Sequence, residues 1–262
     1  MIIAIVLADP LKPIDGEQPY FLDAGGASVL ERAVSRVLRG PFGGTIVATS
    51  SDLEASCRET LSGFAVQYAI TDDPTTVAKA GLLEAAAFRK RWEKAMAAAA
   101  QRFGAKTGKN AQQNRTRDLK NDPDEEEDEG GEETTDWKGL QKNADVKIRG
   151  LARSFECDGI MLFRGERAGL KLETQALLVD TFTRDSQQGG TKSLARIVSN
   201  GKDAFPILAN LSAAKELENL PLSTPLETWL AGQTDKLLRV NSDDPAVSAE
   251  LNTEDDYLAF EE

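Results

Sequence analysis

The stretch Met1-Ile2-Ile3-Ala4-Ile5-Val6-Leu7-Ala8, closed by Asp9-Pro10, decides the fold. A half-buried strand alternates apolar and polar side chains, whereas Ile2 to Leu7 is apolar on both faces and rich in β-branched residues. That pattern belongs to a central strand of a parallel sheet covered by helices on both sides. The run is too short for a membrane span and lacks the basic flank of a secretory leader, and no other window approaches the roughly 20 apolar residues a span needs.

Reading outward, a loop rich in Pro, Gly and Asp runs from Asp9 to Gly26. In Ser28 to Leu38, Val29, Leu30, Ala33, Val34, Val37 and Leu38 recur at helical spacing behind a Ser28 cap, and Gly40-Pro41 stops the helix. Thr45 to Thr49 is a second buried strand. Ser51 or Asp52 caps a short helix to about Thr60, and Val66 to Ile70 is a third strand. Strand, loop, helix, strand, helix, strand opens a doubly wound α/β sheet.

A long Ala-rich helix follows from Thr75 to about Arg102. Residues 88–121 hold ten basic side chains against Glu93 and Asp118, and residues 122–136 hold ten acidic ones and no basic one. Residues 104–136 contain almost no large apolar side chain, so burial cannot offset the entropy of ordering them, and they read as a disordered insertion within one domain spanning 1–262. A binding tail or autoinhibitory strap that captures a protein partner through 88–136 is one reading of the paired charges. A solvated insertion that partly neutralises itself is the other.

The α/β pattern resumes with a helix over Val146 to Phe155, a strand at Ile160 to Phe163 running into Arg164-Gly165-Glu166, and a helix over Leu172 to Arg184. A strand at Ala204 to Ala209, a Ser212-capped helix to about Leu220, a short strand at Leu237 to Val240 and a Thr253-capped terminal helix complete the chain. Gly43-Gly44 and Gly189-Gly190 read as turns.

Composition narrows the chemistry. The 262 residues include no histidine, which removes imidazole as general base, proton shuttle and metal ligand. Ser-His-Asp, Cys-His and His-ligated zinc mechanisms are excluded. Cys57 and Cys157 are far apart and read as small buried residues in a reducing, cytoplasmic setting, neither nucleophiles nor a disulfide framework. The net charge of −12 owes ten of its units to residues 122–136, so the remainder is nearly neutral and carries no long-range field for nucleic acid.

The order of elements and several local strings resemble the MobA-like nucleotidyltransferases, the molybdenum-cofactor guanylyl- and cytidylyltransferases. That family opens with a buried strand and the loop L-A-G-G-x-S-x-R-M-G-x-D-K, followed by a Gly-Gly turn and a helix near L-L-E-R. Leu7-Ala8, Gly16, Gly25-Gly26 and Leu30-Glu31-Arg32 match these at unbroken spacing. Ile160 to Gly165 with Glu166 stands where the family has a strand ending in Gly-Asp. Gly201 to Leu208 resembles its G-x-x-G-H-P-V-L-F segment, and Glu250 to Tyr257 resembles its D-I-N-T-P-E-D-L ending.

The resemblance implies a nucleotide-diphospho-sugar transferase-like fold, a Rossmann-like three-layer sandwich with a doubly wound, mostly parallel sheet. It implies transfer of NMP from an NTP to a phosphorylated cofactor or sugar with Mg2+. Carried over, Lys12 stands near the phosphates and Glu166 on the metal, with Glu250 as a further metal acid. Leu7, Ala8, Gly16 and Asn252 contact the nucleotide.

The departures fall on the chemistry. Transfer gathers charge on phosphate oxygens that cations and N–H groups must offset. Here the family's Gly-Gly pair is Asp9-Pro10, its loop Arg is Ile14 and its loop Lys is Pro19. Losing both cations costs several kcal/mol of transition-state stabilisation unless something replaces them, and Lys12 is the one cation left in the loop. The histidine of G-H-P is also gone, at Ala204-Phe205-Pro206. The site therefore reads as degenerate, with catalysis weakened or lost, the alternative being a non-catalytic interaction or regulatory protein acting through the charged insertion.

Other readings stay open at each position. Lys12, Asp15 and Gly16 form a remnant phosphate site or a solvent-exposed turn. Glu166 binds metal or pairs with Arg164 and Arg167, and Asn252-Thr253 contacts nucleotide or caps a helix.

Overall fold

The computed structural model describes residues 1–110, 158–221 and 224–247. The chain separates into one unit formed by Met1–Ala85 with Arg149–Glu262 and another formed by Ala86–Ile148. The site lies wholly in the first.

That unit is built on a seven-stranded sheet: β1 (Ile2–Ala8), β2 (Gly44–Ser50), β3 (Gln67–Thr71), β4 (Gly159–Arg164), β5 (Leu194–Ser199), β6 (Lys202–Asn210) and β7 (Leu237–Asn241). The spatial order is β3-β2-β1-β4-β6-β5-β7. Only β6 runs against the rest, pairing antiparallel with β4 and β5. As its composition requires, β1 is the covered centre, buried along its whole length and paired in parallel with β2 on one side and β4 on the other.

Helices connect and cover the strands. They are α1 (Val29–Leu38), α2 (Ser51–Thr60), α3 (Val77–Asn110), α4 (Leu172–Gln187), α5 (Leu211–Glu218) and α6 (Leu226–Ala231). One face of β1, Ile2, Ala4, Val6 and Ala8, packs with Leu30, Val34 and Val37 of α1, Leu53 and Cys57 of α2, and Leu178 and Phe182 of α4. On the other face Gly81 of α3 comes so close that a Cβ there would lie 2.6 Å from Ile5 and 3.0 Å from Ala48. Helices on both faces of a mostly parallel sheet make the expected three layers.

Local chemistry explains the boundaries. Ser28 Oγ accepts from the Glu31 N–H (3.2 Å) and the Glu31 carboxylate accepts from the Ser28 N–H (2.7 Å), a reciprocal capping box that starts α1. Ser28→Ala is expected to cost about 1 kcal/mol in urea unfolding, the usual worth of such a cap. The caps of α2 and α5 fall earlier than the sequence pattern places them, at Ser50 and Asn210, because the strands run directly into the helices. Asn210 Oδ1, not Ser212, accepts the Ala213 N–H (3.0 Å).

Two elements were not anticipated, β5 and α6. The turn joining β5 to β6 is Asn200-Gly201, with φ of 51° and 73°, a two-residue hairpin turn. Helix α3 extends to Asn110, past the expected end near Arg102. The acidic tract, the helix over Val146 to Phe155, Cys157, Glu250, Asn252 and the Thr253-capped helix lie outside the described residues. No helix among the described residues is long and apolar enough to cross a membrane.

Candidate functional site

From β1 the chain first builds β2 and β3 on one side, then returns to place β4 on the other, so the β1/β4 boundary is a topological switch point. Ligands of open α/β sheets bind in the crevice at the carboxyl ends of the strands at such a point. Here that end carries Asp9, just after β1, and Arg164, Glu166 and Arg167 at and just after the end of β4.

A cleft of about 600 Å³ opens there. Arg164, Glu166 and Arg167 line it together with Arg196 of β5 and Lys202 and Phe205 of β6. The guanidinium groups of Arg164 and Arg196 lie 5.0 and 5.9 Å from the centroid of the Phe205 ring, both within cation–π reach of it.

Most of the cleft's charges are committed. Arg164 Nη1 donates to Asp9 Oδ2 at 2.8 Å. Arg196, itself buried, donates to the Ala204 carbonyl (3.1 Å) and to Glu227 (3.2 Å). Asp203 accepts from Arg239 at 3.0 Å.

Glu166 and Arg167 are different. Glu166 Oε2 and the Nε and Nη1 of Arg167 are buried without hydrogen-bond partners. Burial pushes the Glu166 carboxyl above the usual carboxylate range, against the opposing pull of the Arg164 charge.

The loop after β1 is closed on itself. Ile14 and Glu17 exchange backbone hydrogen bonds, both 2.9 Å, across a turn with positive φ at Asp15 (50°) and Gly16 (90°). Gln18 spans the loop, accepting from the Leu11 N–H and donating to the Leu11 carbonyl. Tyr20, with 0% exposure, donates to the Asp9 carbonyl at 2.8 Å. Pro19 is buried beside it, and Ile14 packs against Ala24, Val29 and Ala168. The two positions where the MobA-like loop carries cations thus face the protein interior.

The remaining expected residues fall as follows. The side chains of Leu7 and Ala8 are buried in the sheet, and their carbonyls accept from the Gly165 N–H (2.8 Å) and the Thr49 hydroxyl (2.9 Å). Gly16 is the turn glycine just described. Lys12 is exposed on the loop and does not line the cleft. Of the expected residues that the structure describes, Glu166 alone lines the cleft. Arg196 and Glu227 belong to no motif that points to a site, and Phe205 enters the sequence reading only as the residue standing where the family's G-H-P segment has its histidine.

No family model matches this sequence, and no curated protein matches it. Its resemblance to known proteins is one of structure. Rv0371c from Mycobacterium tuberculosis is 12% identical with a TM-score of 0.56, over 100% of this chain and 98% of that one. A nucleotidyl transferase from Methanothermobacter thermautotrophicus is 14% identical with a TM-score of 0.56, over 99% and 95%. The 4-diphosphocytidyl-2C-methyl-D-erythritol synthase of Anaerococcus prevotii is 10% identical with a TM-score of 0.52, over 99% and 94%. The chain therefore has the nucleotidyltransferase-like fold of the nucleotide-diphospho-sugar transferase type. A further structure of the mycobacterial protein is a complex with manganese.

Proposed function

We propose that this chain is a MobA-like nucleotidyltransferase-fold protein of the cytoplasm that binds a nucleoside triphosphate in the β1/β4 cleft. Transfer of NMP to a phosphorylated cofactor or sugar is weak or lost in it. The observation that carries the reading is the pair of unspent groups at the switch point, Glu166 and Arg167, beside a loop whose amides and former cation positions are engaged internally. The cleft retains the means to hold a phosphate, while the loop lacks those that stabilise charge during transfer.

The chemistry of Glu166 suits Mg2+. That cation takes one or two carboxylates and fills its other positions with phosphate oxygens and water. Among the described residues no three His, Cys, Asp or Glu side chains cluster into a metal cage. Glu166 would hold the cation through Oε2, with Glu250 as the further acid, and the bound cation would neutralise phosphate charge. Lys12 would reach the phosphates from the loop, and Asn252 would contact the nucleotide.

Titration of the full chain with ATP, GTP and CTP in the presence of magnesium is expected to raise its stability, by about 2.7 kcal/mol at 100-fold excess over Kd. With a panel of sugar phosphates and phosphorylated cofactors as acceptors, pyrophosphate release is expected well below the ordinary enzymatic range of about 1–1,000 s⁻¹. No stabilisation by any nucleotide at millimolar concentration would overturn the binding reading. Turnover in the ordinary range would overturn the loss of catalysis.

A further inference from the structure

We propose that Arg167 is the phosphate anchor of the cleft, taking over from the two missing loop cations, and that its ligand is the di- or triphosphate group of a nucleotide. This rests on the nucleotide-binding reading above.

Three observations lead to it. Ile14 and Pro19 are turned into the protein, so the loop cannot regain a positioned cation without unpacking. Arg164 and Arg196 are consumed by Asp9 and Glu227. Arg167 remains: its side chain lines the cleft, and its Nε and Nη1 lie just beneath the surface, neither donating to protein. The guanidinium is half-buried, and its two idle buried N–H groups are costly; such groups persist where a ligand, ion or water satisfies them.

The neighbouring charges favour a phosphate over a carboxylate. Arg167 does not hydrogen-bond to Glu166, its neighbour in the chain, so one charge-assisted donor and one acceptor stand unpaired at adjacent positions. A polyphosphate uses both. Its oxygens accept from the planar guanidinium, and its accompanying cation or terminal hydroxyl meets Glu166 Oε2. Lys202, exposed and lining the same cleft, adds charge for a ligand longer than a single phosphate.

The test uses inorganic pyrophosphate as the probe, measured by calorimetry on the full chain with and without magnesium, for the wild type, Arg167→Met and Arg167→Lys. Arg167→Met is expected to weaken pyrophosphate binding about 10- to 100-fold, the worth of charge-assisted hydrogen bonds, and Arg167→Lys to recover part of the loss. Without ligand, the thermal midpoint of Arg167→Met is expected to equal or exceed that of the wild type, because idle buried donors have been removed. Equal binding by wild type and Arg167→Met overturns the assignment, as does weaker binding accompanied by a lowered ligand-free midpoint. If the wild type binds neither pyrophosphate nor any nucleotide, the nucleotide-binding reading fails first, which separates the two failures.

Discussion

Replacing Arg164 with methionine is expected to destabilise the chain by about 2–3 kcal/mol, read as a lowered urea midpoint with the buried Trp229 as fluorescence probe. The side chains of Arg164 and Asp9 are 25% and 30% exposed. Their pair therefore lies between exposed pairs, worth up to about 1 kcal/mol, and buried ones whose breakage costs about 3–5. Two further losses add to the broken bond. Asp9 Oδ1 already has no partner, so the whole carboxylate is stranded, and Glu166 loses the charge that most opposes its burial.

The sign of the pH dependence follows. Without Arg164 the Glu166 carboxyl, which burial already raises, holds its proton still more tightly in the folded chain than in the unfolded one. That penalty is absent at low pH, where the carboxyl is neutral, and grows as the pH rises from its unfolded value through its raised folded one. The deficit is therefore expected to shrink on acidification, and Asp9→Asn added to Arg164→Met is expected to recover more than half of it. A loss below about 1 kcal/mol, or one independent of pH, would show the pair to be a surface contact.

The second large effect concerns the loop. Restoring the cation of the MobA-like pattern by Pro19→Lys is expected to cost about 3 kcal/mol and to leave nucleotide turnover no faster. The new ammonium starts inside the short helical turn Pro19–Phe21, beside fully buried Tyr20, and must stay unpaired or pry the loop open to reach water. Ile14→Arg is expected to cost less, about 1–2 kcal/mol, since Ile14 is only partly buried. Chemical denaturation and pyrophosphate release on the single and double variants check this. A stable double variant that gains turnover would show that the loop still adopts a phosphate-binding conformation.

The left half of the sheet was legible because β1, β2 and β3 are apolar runs punctuated by Gly, Pro and capped helices. Strand β5 was not, because Arg196 interrupts its apolar run and no motif signals that an arginine there is buried against Phe205 and Glu227. Its partner β6 hides a proline, tolerated because the ladder shifts register between Arg196 and Ile197. Asn200-Gly201 was the signal that could have revealed the hairpin, but Gly201 was read as the first residue of a family string. Glu166 was singled out because Ile160 to Gly165 with Glu166 stands where the resembled family has a strand ending in Gly-Asp. Arg167 was noticed only as a possible partner for Glu166, since idleness in a buried group is a property of three-dimensional surroundings that no spacing encodes.

The position of β1 also shapes how the chain comes into being. Its partner on one side, β2, is synthesised soon after it, but its other partner, Gly159–Arg164, follows some 150 residues later. At about 5–20 residues per second, the β1 edge waits roughly 8–30 s on the ribosome for that neighbour. During this interval a wholly apolar strand presents an unpaired edge, the template on which nascent chains pair wrongly with one another. The same seven residues that specify the centre of the finished sheet are thus its most exposed liability during translation.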